Sequence, residues 1–336
     1  MTVNPEDIII LKTRESEPFA DAVFENFRRE LEARYRTRGE IYGFIDMQKF
    51  SDREYCPQIM ANVRKKDAYV IHCFMDDNLR YDPNGGFVKL LLINDALRRA
   101  SAERVINVLP YMPYMRQDRK DRPRVPISAK VIANQIEASG ASRVITADMH
   151  AGQEQGFFDI PLDNLYATPH LLECIDKKKE YTVVAVDAGA VERAKDSANR
   201  LKSPIAYIGK RRHADTGEVE TIYLVGEIEN RSALLPEDLV DTGGTLIETS
   251  KVLKEKGAKE IVACATHALL SPKDGKKAED KIKETGIKVY ATDTIPRSRE
   301  YIEQNSDWLT VISVAPLFAK AIYRIHTGES ISELFK

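Results

Sequence analysis

Ser139-Gly140-Ala141-Ser142-Arg143-Val144-Ile145-Thr146-Ala147 is the stretch that decides the fold. Small residues close a helix, and Gly140 stands where a helix end needs the left-handed conformation. The β-branched run that follows reads as a buried parallel strand. The same order recurs at Ala100-Ser101-Ala102-Glu103-Arg104-Val105-Ile106-Asn107-Val108-Leu109. It recurs again at Lys256-Gly257-Ala258-Lys259-Glu260-Ile261-Val262-Ala263-Cys264. Helix, turn, strand and polar loop in repetition predict an α/β fold with mainly parallel sheets flanked by helices. The chain has 336 residues, about twice a typical single-domain length, and the pattern occurs in both halves. Two similar domains are expected.

Around that pattern the elements fall into place. Phe19, Val23, Phe24, Phe27 and Leu31 recur at helical spacing, so a helix is expected over 17–35. Ala68 to Phe74 suits a buried strand, and Phe87 to Ala100 a helix. No apolar run approaches the ~18 residues of a membrane span. Met1 to Asp7 holds two acids and no basic stretch, so no signal peptide is expected. The four cysteines, at 56, 73, 174 and 264, have neither disulfide-framework nor zinc spacing, which suits reduced thiols in the cytoplasm. Acidic and basic residues nearly cancel, 52 against 50. That balance argues against a nucleic-acid coat, while leaving room for a local site for a small phosphorylated ligand.

In parallel α/β folds, ligands sit beyond the carboxyl ends of the strands. The loops there carry the unusual chemistry. Asp241-Thr242-Gly243-Gly244-Thr245 precedes a helix expected over 246–256. Its glycines allow close backbone approach, and a helix N-terminus with consecutive amides cradles phosphate. Glu237, Asp238 and Asp241 suit sugar hydroxyls instead, so the segment fits a sugar phosphate. A plain turn with a capping threonine is the alternative. Arg116 to Arg124 holds five cations in nine residues, suiting phosphate oxygens or simply a solvated loop. Asp148-Met149-His150 ends a strand and suits Mg²⁺, held directly or through water, or a structural histidine. Lys210-Arg211-Arg212-His213 reads as a basic loop able to close over concentrated negative charge, or as a solvated turn.

Taken together and in this order, these segments resemble the ribose-phosphate pyrophosphokinase family from about Phe50 to Lys336. The resemblance rests on Pro110-Tyr111-Met112-Pro113-Tyr114-Met115-Arg116-Gln117-Asp118-Arg119-Lys120, on Gly156-Phe157-Phe158-Asp159-Ile160-Pro161-Leu162-Asp163-Asn164, on Asp187-Ala188-Gly189, on Lys210-Arg211-Arg212 and on 241–245. It implies two tandem phosphoribosyltransferase-like domains, 1–166 completed by about 308–336, and 167–307. It implies transfer of the β,γ-diphosphoryl group of ATP to the C1 hydroxyl of ribose 5-phosphate, with Mg²⁺ required and AMP released.

Carried over by position, Phe50, Asp52 and Glu54 resemble an adenine-recognising loop that serves a neighbouring subunit. Arg116 and Gln117 resemble further ATP contacts. His150 and Asp187 resemble the Mg-ATP site, with Asp148 beside them. Lys210 and Arg212 resemble the catalytic cations, and Glu237, Asp238, Asp241, Thr242, Gly243, Gly244 and Thr245 the ribose 5-phosphate loop. A homo-oligomer is implied, a dimer at least, and hexamers are common in the family. No nucleic-acid or membrane partner is expected.

The chain departs from the family pattern at several positions. Arg53 stands where the adenine loop usually has glycine. Glu237-Asp238 follows Pro236, where two aspartates after an apolar residue are usual. Met149 replaces leucine, Ala190 replaces a second glycine after Asp187, and the region before Phe50 is roughly fifteen residues longer than usual. These changes leave two other readings: a catalytically weak regulatory homologue, and a phosphoribosyltransferase that consumes phosphoribosyl pyrophosphate. Arg116 to Lys120 and the two-domain length disfavour the latter.

Overall fold

The computed structural model describes residues 7–33, 41–75, 80–212 and 219–335, and the side chains of 210–212, 219–222 and 335 are outside that description. The chain divides into two compact units. One comprises Met1–Tyr166, Asp293–Arg297 and Ser313–Lys336, and the other Ala167–Thr292 and Ser298–Ile312.

The first unit opens with β1 (Ile8–Lys12), α1 (Glu17–Glu32), β2 (Tyr42–Lys49), β3 (Tyr55–Ile59) and β4 (Asp67–Ile71). It continues with α2 (Pro83–Arg99), β5 (Arg104–Leu109), α3 (Ser128–Ala138), β6 (Arg143–Ala147) and β7 (Leu162–Leu165). The second holds α4 (Thr168–Cys174), β8 (Tyr181–Ala185), α5 (Val191–Leu201), β9 (Ile205–Arg212), β10 (Val219–Val225) and β11 (Ser232–Val240). It then runs through α6 (Gly244–Glu255), β12 (Glu260–Ala268), α7 (Ala278–Thr285), β13 (Lys288–Thr292), α8 (Arg299–Gln304) and β14 (Leu309–Ile312). Helix α9 (Ala315–Thr327) belongs to the first unit.

Each unit holds a seven-stranded sheet, ordered β3-β2-β1-β4-β5-β6-β7 and β10-β9-β8-β11-β12-β13-β14. All described pairings are parallel except the edge ribbons β2–β3 and β9–β10. The two orders are the same diagram. In each, the first strand is flanked on one side by its two successors, and the chain then crosses to its other side. The crossing creates a switch point between β1 and β4, and another between β8 and β11, where diverging loops leave a crevice.

Inner strands such as β1 and β8 are buried along nearly their whole length because both faces are covered. Ile8, Ile9, Ile10 and Leu11 are all fully buried. Ile9 and Leu11 pack with Val70, Ile93 and Leu97, while Phe19 of α1 meets Phe318 of α9 edge-on at 5.4 Å. The expected helix turns are present, with Gly140 at φ +114° and Gly257 at φ +83°. In the repeat at 100–109, Ser101 takes the left-handed conformation itself, at φ +66°.

Local differences from the sequence reading have physical causes. The strand expected over 68–74 stops at Ile71, and His72 instead bonds the Gly86 carbonyl at the start of α2. Helix α1 ends at Glu32, and Tyr35 lies outside the described residues. Lys210, Arg211 and Arg212 continue β9 rather than forming a loop, because β10 pairs with them antiparallel, Lys210 opposite Ile222 and Arg212 opposite Val219. His213 falls outside the described residues.

Candidate active site

The second unit's switch point gathers the sugar-phosphate residues. Strand β11 outruns β8: their pairing ends at Leu234 opposite Val183, while β12 stays paired as far as Val240. Pro236 is tolerated in this central strand because no β8 ladder remains there to miss its N–H. Glu237 is buried at the strand's free end, and Asp238 and Asp241 are half-buried.

Beyond them the chain turns through Gly243 into α6. Gly243 has φ +74°, and a Cβ there would stand 2.8 Å from Ile282 of α7. Both facts require glycine. Gly244 has only the Thr242 hydroxyl near its missing Cβ, at 3.8 Å, and faces solvent with Thr245. The amides of Gly244, Thr245 and Leu246 open α6, so the fold gives them no carbonyl one turn back. The loop is tied to its neighbour by the amide of Leu269, which donates to Val240, and that of Ser271, which donates to Asp241.

Across the switch point, the loop after β8 carries the exposed Asp187. Its Oδ1 accepts the Ala190 amide at 3.0 Å, which anchors the entry to α5. Ala190 has φ −82°, so replacing a glycine there carries no backbone strain. In the first turn of α5, Arg193 reaches back to Asp238 at 3.4 Å, with side chains 17% and 13% exposed. This ion pair ties the start of α5 to the end of β11. The sequence reading assigned Arg193 no role. Its only linear signal is a cation six residues after Asp187, and only the strand order shows that it faces Asp238.

The first unit's switch point is occupied differently. There the loop after β1 buries Glu15, which pairs with Lys89 of α2 at 2.5 Å, and His72 is fully buried beside them. Burial pushes the His72 imidazole down to about 4. Burial, the largest single influence, raises the Glu15 carboxyl, but the Lys89 hydrogen bond, the Lys89 charge and smaller contributions together hold the group below its ordinary value.

The first unit's candidate residues lie elsewhere, after β5, after β6 and on the β2–β3 ribbon. Arg116 is exposed and Gln117 half-buried, its amide donating to the Arg119 carbonyl. Gln153, following β6, donates to Asp118 at 3.3 Å and joins the two loops. Asp148 is buried with φ +37°, its amide donating to Leu165, while Met149 donates to the Asn164 side chain. The chain therefore bends sharply at Asp148 and leaves His150 exposed.

Phe50, Asp52 and Glu54 form the exposed tip of the ribbon, with Phe50 54% exposed. The Phe50 amide donates to Glu54, the Arg53 amide to Phe50, and the Glu54 amide to the Asp52 carboxylate. Arg53 has φ +77°. This is a turn followed by a left-handed residue, where glycine is free and arginine costs about 1–2 kcal/mol.

Among the described residues no group of three or more His, Cys, Asp or Glu side chains is placed to hold a metal. An exposed carboxylate such as Asp187 still fits Mg²⁺, which takes few protein ligands and keeps waters and substrate phosphates. Among the described residues no helix is long and apolar enough to cross a membrane.

Comparison with known proteins gives a consistent result. Residues 8–140 match the family model of the N-terminal domain of ribose phosphate pyrophosphokinase, and 216–336 match the phosphoribosyl synthetase-associated domain. The chain is 40% identical over 291 residues to ribose-phosphate pyrophosphokinase of Campylobacter jejuni, covering 86% of this chain and 90% of that one. It is 43% identical over 300 residues to the Oceanobacillus iheyensis enzyme of the same name, covering 88% and 90%. Among solved structures, phosphoribosylpyrophosphate synthetase from Mycobacterium smegmatis superposes with a TM-score of 0.81 at 31% identity, covering 96% of this chain and 99% of that one.

Proposed function

The chain belongs to the ribose-phosphate pyrophosphokinase family and is an enzyme of that class, and from this premise we propose how its residues carry the reaction. The β,γ-diphosphoryl group of ATP passes to the C1 hydroxyl of ribose 5-phosphate, giving phosphoribosyl pyrophosphate and AMP. The observation that carries this reading is the second unit's switch point, where a phosphate cradle and sugar-binding acids stand together.

There the 5-phosphate takes the amides opening α6 and the hydroxyls of Thr242 and Thr245. Glu237, Asp238 and Asp241 accept hydrogen bonds from ribose hydroxyls, with Arg193 holding Asp238 in place. Orienting the ring aims C1–OH at the β-phosphorus, and alignment of this kind supplies much of the rate in phosphoryl transfer. Lys210 and Arg212 stabilise charge on the bridging and leaving oxygens. Phe50, Asp52 and Glu54 recognise adenine, Arg116 and Gln117 contact ATP, and His150, Asp187 and Asp148 serve the metal–nucleotide site. Asp148 acts by aiming His150, since it is itself buried. When bound with the nucleotide, Mg²⁺ neutralises phosphate charge.

The working form is a homo-oligomer, a dimer at least, because the adenine hairpin serves a neighbouring subunit in the family reading. Four free thiols, with Cys73 and Cys264 buried, suit a cytoplasmic enzyme.

The decisive experiment supplies ribose 5-phosphate and Mg-ATP and identifies the nucleotide product. AMP is expected. ADP would mean ordinary kinase chemistry, and no AMP from folded protein would overturn the reading. Lys210→Ala should reduce turnover far more than ribose 5-phosphate binding.

A further inference from the structure

The ribbon tip contains a residue that local structure does not account for. Arg53 adopts φ +77° on an exposed turn. The turn is closed by main-chain hydrogen bonds, and its base is pinned by Tyr55, whose ring lies under Lys49 at 5.3 Å and Lys89 at 5.0 Å. Neither packing nor pairing explains an arginine here. Its guanidinium makes no hydrogen bond or ion pair with the described residues. Glycine would satisfy the same turn without strain. A large side chain on a strained, exposed stretch of backbone points to a use for that side chain.

The charges around it indicate the use. Asp52 and Glu54 suit the amino group of a purine, but both repel a polyanion. Lys49 is engaged on the Tyr55 ring, which leaves Arg53 as the cation of the tip available to an incoming ligand. We propose that Arg53 is a nucleotide-binding residue whose guanidinium offsets Asp52 and Glu54 and pairs with the polyphosphate of the purine nucleotide. The proposal rests on the assignment of Phe50, Asp52 and Glu54 to adenine given above.

The test compares the parent enzyme with Arg53→Gly and Arg53→Lys. Arg53→Gly should raise KM for Mg-ATP roughly fivefold, the size of one partly exposed charge pair, and less in high salt. It should melt no lower than the parent, because the strain is relieved. Arg53→Lys should keep the parent's KM. Competition by neutral adenosine should be unchanged in Arg53→Gly, since adenosine carries no phosphate. An unaltered or lower KM in Arg53→Gly would overturn the proposal, and so would a lower melting temperature. Equal weakening of adenosine and ATP would move the contact to the base and overturn the charge pairing. A parent enzyme that releases no AMP would indict the functional reading instead, so the two failures are separable.

Discussion

Asp67 shows how much a single residue can carry away from the site. It starts β4 directly opposite Arg104 of β5, and His326 of α9 joins them at 3.3 Å. Burial alone would raise its carboxyl, but hydrogen bonds from Arg104 and His326 hold it at about 2, against an ordinary 3.8. The charged form is therefore favoured in the folded state. Its contribution is complete above about pH 4 and is lost as pH falls through 2. Arg104 is 45% exposed, which reduces the contribution to about 1–2 kcal/mol. Asp67→Asn should lower stability by that amount at pH 7, and the gap should close between pH 4 and pH 2 in urea unfolding. A gap that stays constant would mean the carboxylate charge is not what matters. Nothing in the sequence around Asp67 announces this, because its partners lie 37 and 259 residues away. Arg53 is the opposite case. Its identity was legible as a departure from a family pattern, but its positive φ was not.

At the scale of elements, the turn from β11 into α6 was readable because glycine, threonine and acid each have a separate physical job. The structure divides the two glycines further. Gly243 is required for its conformation and its closeness to Ile282, whereas Gly244 has space for a Cβ within the protein. Gly243→Ala should cost about 2 kcal/mol in thermal unfolding and weaken ribose 5-phosphate as the α6 amides shift. Gly244→Ala should leave the melting temperature nearly unchanged and weaken only the ligand, because its Cβ would intrude on the phosphate. Equal melting losses for both would refute that division. Strand β9 was less readable. A run of lysine and arginine looks like a solvated loop, and only the pairing of β10 makes it a strand.

At the scale of the molecule, the last helix is structural. Ala315, Phe318, Ala319, Ala321 and Ile322 of α9 are fully buried, and Phe318 packs on Phe19 of α1. Burying Phe318 and Ile322 is worth about 1.5–3 kcal/mol each, a sizeable share of a domain's stability of about 5–15 kcal/mol. A chain ending at Ile312 should lose hydrogen-exchange protection in β1 and β4 while β8 and β11 keep theirs. Full protection in β1 would show that α9 is dispensable. The α/β class, its mainly parallel sheets and the family were determined by the sequence alone, because periodicity, turn residues and strand-end motifs are local and each has its own physical cause. Only the tertiary structure decided that Arg193 faces Asp238, that Asp148 is buried while His150 is exposed, and that Glu15 and Lys89 fill the first switch point. Those outcomes depend on strand order and on burial among residues far apart in the chain, and a linear pattern contains neither.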